Sequence, residues 1–357
     1  MLHAVIMAGG SGTRFWPASR GDRPKQLLTL VGGEPLIRTT FDRITPLVPP
    51  ERVWVVTTAA TADATAEVLH ELPEGNILIE PVGRDTAACA GFAAVAVRHS
   101  DPDGVCVVLP ADHVIREKSR FRRAMAAGAE AVKRDGGMLT FGIRPTRPET
   151  GFGYLQVGAE HCDVGEWTIH RLARFVEKPD LATARRYLAD GGYLWNSGMF
   201  VWPVTELLDE IERQLPLLAD GLGRIAAAYN ADRSSEVIEE IYPELPRISI
   251  DYGIMEGAER CWIMPVNFPW SDVGAWPSLA ELLPCDDDGN AHRGRTVSLD
   301  CSDCILVGDG PVVAAAGVKD VIVVATRDAV LVVPVDDAQR VKDIVVEIQQ
   351  RGWKDVL

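Results

Sequence analysis

The 357-residue chain has no stretch near the roughly 18 to 20 apolar residues that cross a bilayer. Its opening residues, Met1-Leu2-His3-Ala4-Val5-Ile6-Met7, offer neither a basic leader nor a cleavage site. Secretion and membrane insertion are thereby disfavoured, and a cytoplasmic protein is expected. Positive charge is also scarce: 36 Lys and Arg against 51 Asp and Glu leave a formal charge of −15. Such a chain repels a long polyanion, which argues against general nucleic-acid binding. Residues 1 to 26 are the exception, with Arg14, Arg20, Arg23 and Lys25 against Asp22 alone. A local cationic segment in an acidic chain suits a small anionic ligand.

Cysteine is sparse and unpaired in pattern. The seven (Cys89, Cys106, Cys162, Cys261, Cys285, Cys301, Cys304) are odd in number and scattered, mostly among apolar neighbours. Reduced, buried thiols are expected rather than a disulfide framework. Cys301-Ser302-Asp303-Cys304 has the spacing of a redox or zinc half-site but lacks a second Cys or His pair nearby. No Ser/His/Asp or Cys/His nucleophile arrangement is legible either.

What is present is a regular alternation. Short β-branched runs at Ala4 to Met7, Val53 to Thr57, Ile77 to Ile79, Val105 to Leu109 and Met138 to Phe141 are separated by longer Ala-rich or amphipathic stretches. Those stretches are Leu36 to Ile44, Ala59 to Leu72, Thr86 to Ser100 and Ser119 to Lys133. Strand and helix in alternation predict an α/β, Rossmann-like, mostly parallel sheet, with ligands beyond the carboxyl ends of its strands. After Arg144 the pattern becomes irregular, with helices expected at Leu181 to Ala189 and Val204 to Gln214. A turn-rich break at Cys285 to Asn290 precedes short strands at about eight-residue spacing: Thr296 to Leu299, Ile305 to Val307, Val312 to Ala316, Val321 to Val324 and Val330 to Val333. Two domains are therefore expected, 1–284 and a small β-rich 285–357. The closing segment, Gln339 to Gln350, sets Val341, Ile344, Val345 and Ile348 at helical spacing, a face that must pack.

The first strand runs into Ala8-Gly9-Gly10-Ser11-Gly12-Thr13-Arg14, a glycine turn whose amides can close on a phosphate. It is neither of two familiar phosphate loops. A P-loop would end in Gly-Lys-Ser/Thr, and a dinucleotide fingerprint would need glycine where Phe15 stands, which weakens a nicotinamide-dependent dehydrogenase.

With Phe15-Trp16-Pro17-Ala18-Ser19-Arg20 and Pro24-Lys25-Gln26 added, this segment resembles the signature of the sugar-nucleotide pyrophosphorylases, in particular the mannose-1-phosphate guanylyltransferases. Six further blocks follow in order: Glu80 to Thr86, Leu109 to His113, Thr150 to Tyr154, Phe175 to Pro179, Trp195 to Phe200 and Trp270 to Trp276. The resemblance implies a nucleotidyltransferase sheet domain followed by a partial left-handed β-helix used in dimerisation, without the isomerase domain of longer members. It implies transfer of GMP from GTP to α-D-mannose 1-phosphate, giving GDP-mannose and pyrophosphate, with Mg2+, in a homodimer. A pyrophosphorylase of another sugar or base, and a silent sugar-nucleotide sensor, are the rivals. Three positions depart from the pattern: Asp85 for the usual Asn, Phe152 for Tyr, and Gly257 where Lys is frequent.

The chemistry constrains the roles. A sugar phosphate has its second pKa at about 6 and is already a nucleophile at pH 7, so the reaction needs charge neutralisation and in-line positioning more than a general base. Arg14 and Lys25 are expected to meet the triphosphate and Lys178 the sugar phosphate. Read alone, Asp112 and Asp272 would each more often be a turn or cap residue; their place in the matching blocks makes them the expected Mg2+ ligands, with His113 structural. The nucleotide is expected on Ala8, Gly9, Gly10, Ser11, Gly12, Thr13, Arg14, Lys25, Glu80, Pro81, Gly83, Thr86 and Asp112. The resemblance assigns the sugar to Gly151, Gly153, Tyr154, Glu177, Lys178 and Asn196. Guanine presents two N–H donors on one edge, so Glu80, at the carboxyl end of Ile77-Leu78-Ile79, is the expected acceptor. The tryptophans, Trp16 among them, are expected to be packing.

Overall fold

The computed structural model describes residues 1–229 and 234–357. The chain forms two compact units, each discontinuous in sequence: residues 1–9, 40–111 and 115–270 in the first, and 10–39, 112–114 and 271–357 in the second. The expected boundary at 284/285 does not coincide with them. Phe15, Trp16, Leu28 and Leu30 of the signature segment are buried in one core with Ile305, Ile322, Val341 and Val345. Apolar side chains too large to leave in water decide this grouping.

The strands in chain order are β1 (Leu2–Met7), β2 (Val53–Thr58), β3 (Ile77–Glu80), β4 (Val105–Pro110), β5 (Val114–Ile115), β6 (Met138–Ile143), β7 (Tyr154–Val164), β8 (Trp167–Val176), β9 (Tyr193–Pro203), β10 (Cys261–Val266) and β11 (Trp270–Ser271). In the first unit nine of them make one sheet in the order β3-β2-β1-β4-β9-β6-β10-β8-β7. Seven run one way; β8 and β9 run against them, because their neighbours pair with them antiparallel. The mixed, mainly parallel sheet is thus as expected. Its central strands are buried on both faces, Ala4, Val5 and Ile6 among them, which is why they read as unbroken apolar runs.

The helices up to the sheet's last strands are α1 (Leu36–Ile44), α2 (Ala62–Val68), α3 (Asp85–Ser100), α4 (Lys118–Asp135), α5 (Leu181–Asp190), α6 (Val204–Gln214), α7 (Pro216–Tyr229), α8 (Ser234–Ile241) and α9 (Ile250–Gly253). Helix α3 is buried from Ala87 to Val97, and its alanines let it lie within the apolar core formed with α6 and α7. The region after Arg144, read as irregular, is instead strongly β: β7 and β8 form a long hairpin. Three register shifts along β7 break the two-residue alternation that would have shown it.

The second unit holds α10 (Trp276–Ala280), β12 (Ala291–Leu299), β13 (Ile305–Ala316), β14 (Val321–Ala325), β15 (Val330–Pro334) and α11 (Val341–Gln350). Strands β12, β13 and β14 stack in parallel, with 291–294 beside 305–308 and 305–308 beside 322–325. Linkers of four or five residues are far too short for a helical crossover, so the chain coils as a β-helix. Helix α11 buries Val341, Val345 and Ile348 as its spacing predicts.

Candidate active site

Glycine fixes the signature loop. Gly12 sits in the left-handed region at φ 61°, and a Cβ there would lie 2.4 Å from Lys25 Cβ and 2.8 Å from its amide nitrogen. No side chain fits between the loop and Lys25. The Ser19 hydroxyl donates to the Gly12 carbonyl at 2.8 Å, closing the loop from the other side. Phe15 is wholly buried against Trp276, with ring centroids 5.0 Å apart, and anchors the turn.

This brings Lys25 to the two aspartates. Its ammonium donates to Asp112 Oδ2 at 2.7 Å and to the Asp272 carbonyl at 2.6 Å. Arg14 donates to the Gly274 carbonyl at 3.0 Å, and the Gly274 amide donates to Asp272 Oδ1 at 3.2 Å. Ser11, Gly12, Thr13, Arg14, Phe15, Lys25, Asp112, His113, Asp272 and Gly274 line one cavity of about 300 Å³. Burial alone would raise the Asp112 carboxyl, but Lys25 and His113 hold it below the ordinary carboxylate range. Burial pushes the Asp272 carboxyl up; Lys25 opposes this, and the Asp112 charge adds to it. Two carboxylates facing one cavity supply the hard oxygen ligands that suit a divalent cation. Val273, a β-branched residue at φ 47°, holds the turn between Asp272 and Gly274 in a strained conformation of the kind kept at functional sites.

In the first unit Glu80 closes β3 and is 2 % exposed. The Tyr242 hydroxyl donates to its Oε1. Its Oε2 lies over Gly9, where a Cβ would stand only 2.8 Å away, so the missing side chain leaves room for the carboxylate. Burial pushes the Glu80 carboxyl up to about 7, with Tyr242 pulling it down and Asp85 adding to the rise. Thr86 stands at the start of α3, where its hydroxyl accepts from the Ile250 amide at 2.8 Å. Gly83 is exposed and Pro81 half-buried. Ala8 is buried, and its amide donates to the Val56 carbonyl. Asp85, where the resemblance leads one to expect Asn, adopts φ 66° and accepts from the Thr86 amide, a role either residue fills.

A second cluster in the same unit gathers the residues expected to bind the sugar. Lys178 pairs with Glu177 at 2.7 Å, and Lys178 itself is held at φ 43°. Asn196 donates to Asp251 Oδ1 at 2.7 Å, while its own Oδ1 accepts from the Thr140 hydroxyl and the Gly198 amide. A Cβ on Gly153 would come within 2.5 Å of Glu177 Oε2. Gly151 accompanies Glu149, whose carboxylate accepts from its amide at 3.0 Å. The Tyr154 side chain is fully buried with its hydroxyl donating to the Glu149 carbonyl, so only its main chain is left for a ligand. Phe152 packs edge-on against Trp195 and Trp270, a contact that needs no hydroxyl.

Asp251 and Tyr242 escape the sequence reading. The signal for Asp251 is an acid in the first turn of a four-residue helix capped by Ser249, the commonest reason for an acid to stand there. Burial first, and then the Glu177 charge, push its carboxyl up to about 7, against the pull of Asn196 and Lys178. Between about pH 4 and about pH 7 the folded chain keeps a proton that the unfolded chain has lost, so stability falls as pH rises through that window. Asp251→Asn keeps an acceptor for Asn196 and removes this slope, worth up to roughly 4 kcal/mol. Thermal melts are expected to show the variant several degrees more stable than wild type at pH 8 and equal at pH 4. Parallel pH dependence in the two proteins would refute the assignment.

A glycine loop, a buried lysine and a carboxylate pair in one unit, in a chain whose other unit is a mainly parallel α/β sheet, define an enzyme that handles phosphates. The nucleotidyl transferase family model matches residues 3–288, and a MannoseP isomerase/GMP-like beta-helix domain model matches residues 294–348. Mannose-1-phosphate guanylyltransferase of Klebsiella pneumoniae is 40% identical over 357 residues, 98% of this chain and 74% of that protein. Xanthan biosynthesis protein XanB of Xanthomonas campestris pv. campestris is 39% identical over 351 residues, 98% of this chain and 73% of that protein. A crystal structure described as mannose-1-phosphate geranyltransferase from Thermus thermophilus superposes with TM-score 0.84 at 38% identity, covering 98% of this chain and 99% of that one. The chain belongs to the nucleotidyl transferase family, among the mannose-1-phosphate guanylyltransferases.

Proposed function

We propose that the chain transfers GMP from GTP to α-D-mannose 1-phosphate, forming GDP-mannose and releasing pyrophosphate. The observation that carries this reading is the cavity in which the Ser11 to Arg14 loop, Lys25 and the Asp112/Asp272 pair face one another. The names of the guanylyltransferase relatives support the choice of substrates. The loop amides and Arg14 bind the triphosphate, and Lys25 supplies a fixed cation where charge builds on the α- and β-phosphates. Asp112 and Asp272 would hold Mg2+, which neutralises phosphate charge when bound. Lys178 takes the phosphate of the sugar, whose hydroxyls meet Glu177, Asn196 and the main chain at Gly151 to Tyr154. Glu80 Oε2 accepts from the guanine N1–H and N2–H, held in place by Tyr242.

The same reading places the enzyme in the cytoplasm with small-molecule partners only; among the described residues no helix is long and apolar enough to cross a membrane. It keeps the family division of catalytic segment 1–284 and β-helix segment 285–357, the latter carrying a homodimer contact. Val330 and Val332 are 61% and 64% exposed on β15, an apolar strand face that a second copy would cover.

The test is pyrophosphate release from each of the four nucleoside triphosphates with a panel of hexose 1-phosphates. The highest kcat/KM is expected for GTP with mannose 1-phosphate, and no turnover with any pair would sink the proposal. Glu80→Gln is expected to narrow the preference of GTP over ATP by about tenfold or more. ITP, which keeps N1–H and lacks the N2 amine, separates the two contacts. An unchanged GTP to ATP ratio would move base selection to main-chain groups.

A further inference from the structure

A group of unlike donors lies within the first unit, on residues that the proposed reaction leaves unused. Asp135 is the last residue of α4, and His161 and Cys162 are consecutive on β7. Their side-chain donor atoms all lie within 4.8 Å of one another. His161 Nε2 is 3.0 Å from Asp135 Oδ2, and Cys162 Sγ is 3.8 Å from the same oxygen.

Consecutive strand residues ordinarily point to opposite faces. Here β7 pairs Glu160 with His170 and Cys162 with Ile169, two steps against one. His161 is therefore the extra residue of a β-bulge, and the bulge turns it to the side on which Cys162 meets Asp135. The imidazole is further fixed by stacking on Trp262, with centroids 4.0 Å apart and planes within 10°. Trp262 in turn donates to the Gly136 carbonyl at 2.9 Å, just past the end of α4. Helix end, bulge and indole thus hold three ligand types in a preset arrangement.

We propose that Asp135, His161 and Cys162 bind one divalent transition-metal ion of the zinc class. Sulfur, imidazole nitrogen and carboxylate oxygen together are the donor set of zinc rather than of magnesium or calcium. Tetrahedral bonds of about 2.0 to 2.3 Å separate donor atoms by roughly 3.3 to 3.6 Å. The separations of 3.0 and 3.8 Å lie a few tenths of an ångström from that range. The fourth position would be water, and the ion would clamp the end of α4 to the β7–β8 hairpin. Arg134 competes, donating to Asp135 at 2.9 and 2.8 Å. Its side chain is 48% exposed, and an exposed ion pair of this kind yields readily to solvent.

Metal titration of the chelator-treated full chain tests this. Co2+ is expected to give a thiolate-to-metal charge-transfer absorption at one ion per chain, absent from Cys162→Ser and retained by Asp112→Asn. Zn2+ affinity, measured by competition with a chromophoric chelator, should fall at least about tenfold in Cys162→Ser and in His161→Gln. On the wild-type chain, Zn2+ should slow alkylation of Cys162 at least about tenfold while leaving the exposed Cys285 unchanged. Cobalt absorption that survives Cys162→Ser, no thiolate band in wild type, or equal labelling of Cys162 with and without Zn2+ would each overturn the proposal.

Discussion

Asp112→Asn and Asp272→Asn are each expected to lower kcat by roughly two to four orders of magnitude, the scale of a lost electrostatic stabiliser. Both changes keep shape and remove one negative charge. Their effects on stability should have opposite signs, which separates the two roles. Asp112 is the counter-charge of Lys25, whose side chain is only 7% exposed, so its neutralisation leaves a buried ammonium poorly compensated and lowers Tm. The Asp272 carboxyl is pushed up by burial and by Asp112, so charge there costs folding energy. Asp272→Asn keeps the acceptor for the Gly274 amide and relieves that cost, so Tm should rise while turnover is lost. Steady-state kinetics across Mg2+ concentrations and thermal melts at pH 7 check both halves. Near-normal turnover by both variants at low Mg2+ would refute the shared-cation role.

The parts of this arrangement that sequence revealed are those whose physics is local. β1 and β4 announce themselves as unbroken apolar runs because both faces are covered, and the helix expected at Val204 to Gln214 is α6 residue for residue. Gly12 could be read as a turn glycine, yet that it makes room for Lys25 depends on a contact across thirteen positions of chain. The acids divide along the same line. Asp112 and Asp272 are singled out by the blocks around them and line one cavity, whereas Asp251 carries only the signature of a helix start, and its carboxyl is set by Asn196 on β9 and by Glu177 just past β8. Tyr242 lies 162 residues from Glu80, and no spacing rule connects them. The long β7–β8 hairpin was hidden by its bulges, one of which builds the proposed metal site.

A chain ending at Pro284 is expected to lose turnover by about a thousandfold or more and to keep the nine-stranded sheet. The family resemblance leads one to expect the segment beyond that point to join two copies. The structure gives it a nearer task, because the loop that carries Arg14 and Lys25 has its core there. Phe15 is 0% exposed and Trp16 7% exposed, packed in one cluster with Ile305, Val307, Leu331, Val341 and Val345. The Trp16 indole donates to the Val356 carbonyl at 2.7 Å, and Arg20 meets Asp328 at 3.0 Å. Removing the β-helix uncovers these side chains, each worth about 1.5 to 3 kcal/mol of burial, and the loop cannot hold its shape against that loss. Glu80, Glu177, Asn196 and Asp251 belong to the other unit. Circular dichroism should therefore report a folded sheet, and calorimetry should still detect mannose 1-phosphate, while pyrophosphate release disappears. Val341→Asp offers the same test in a full-length chain, placing one charge in the shared core. If the truncated chain sediments as a monomer yet turns over at the wild-type rate, the segment serves association alone and the loop stands without it.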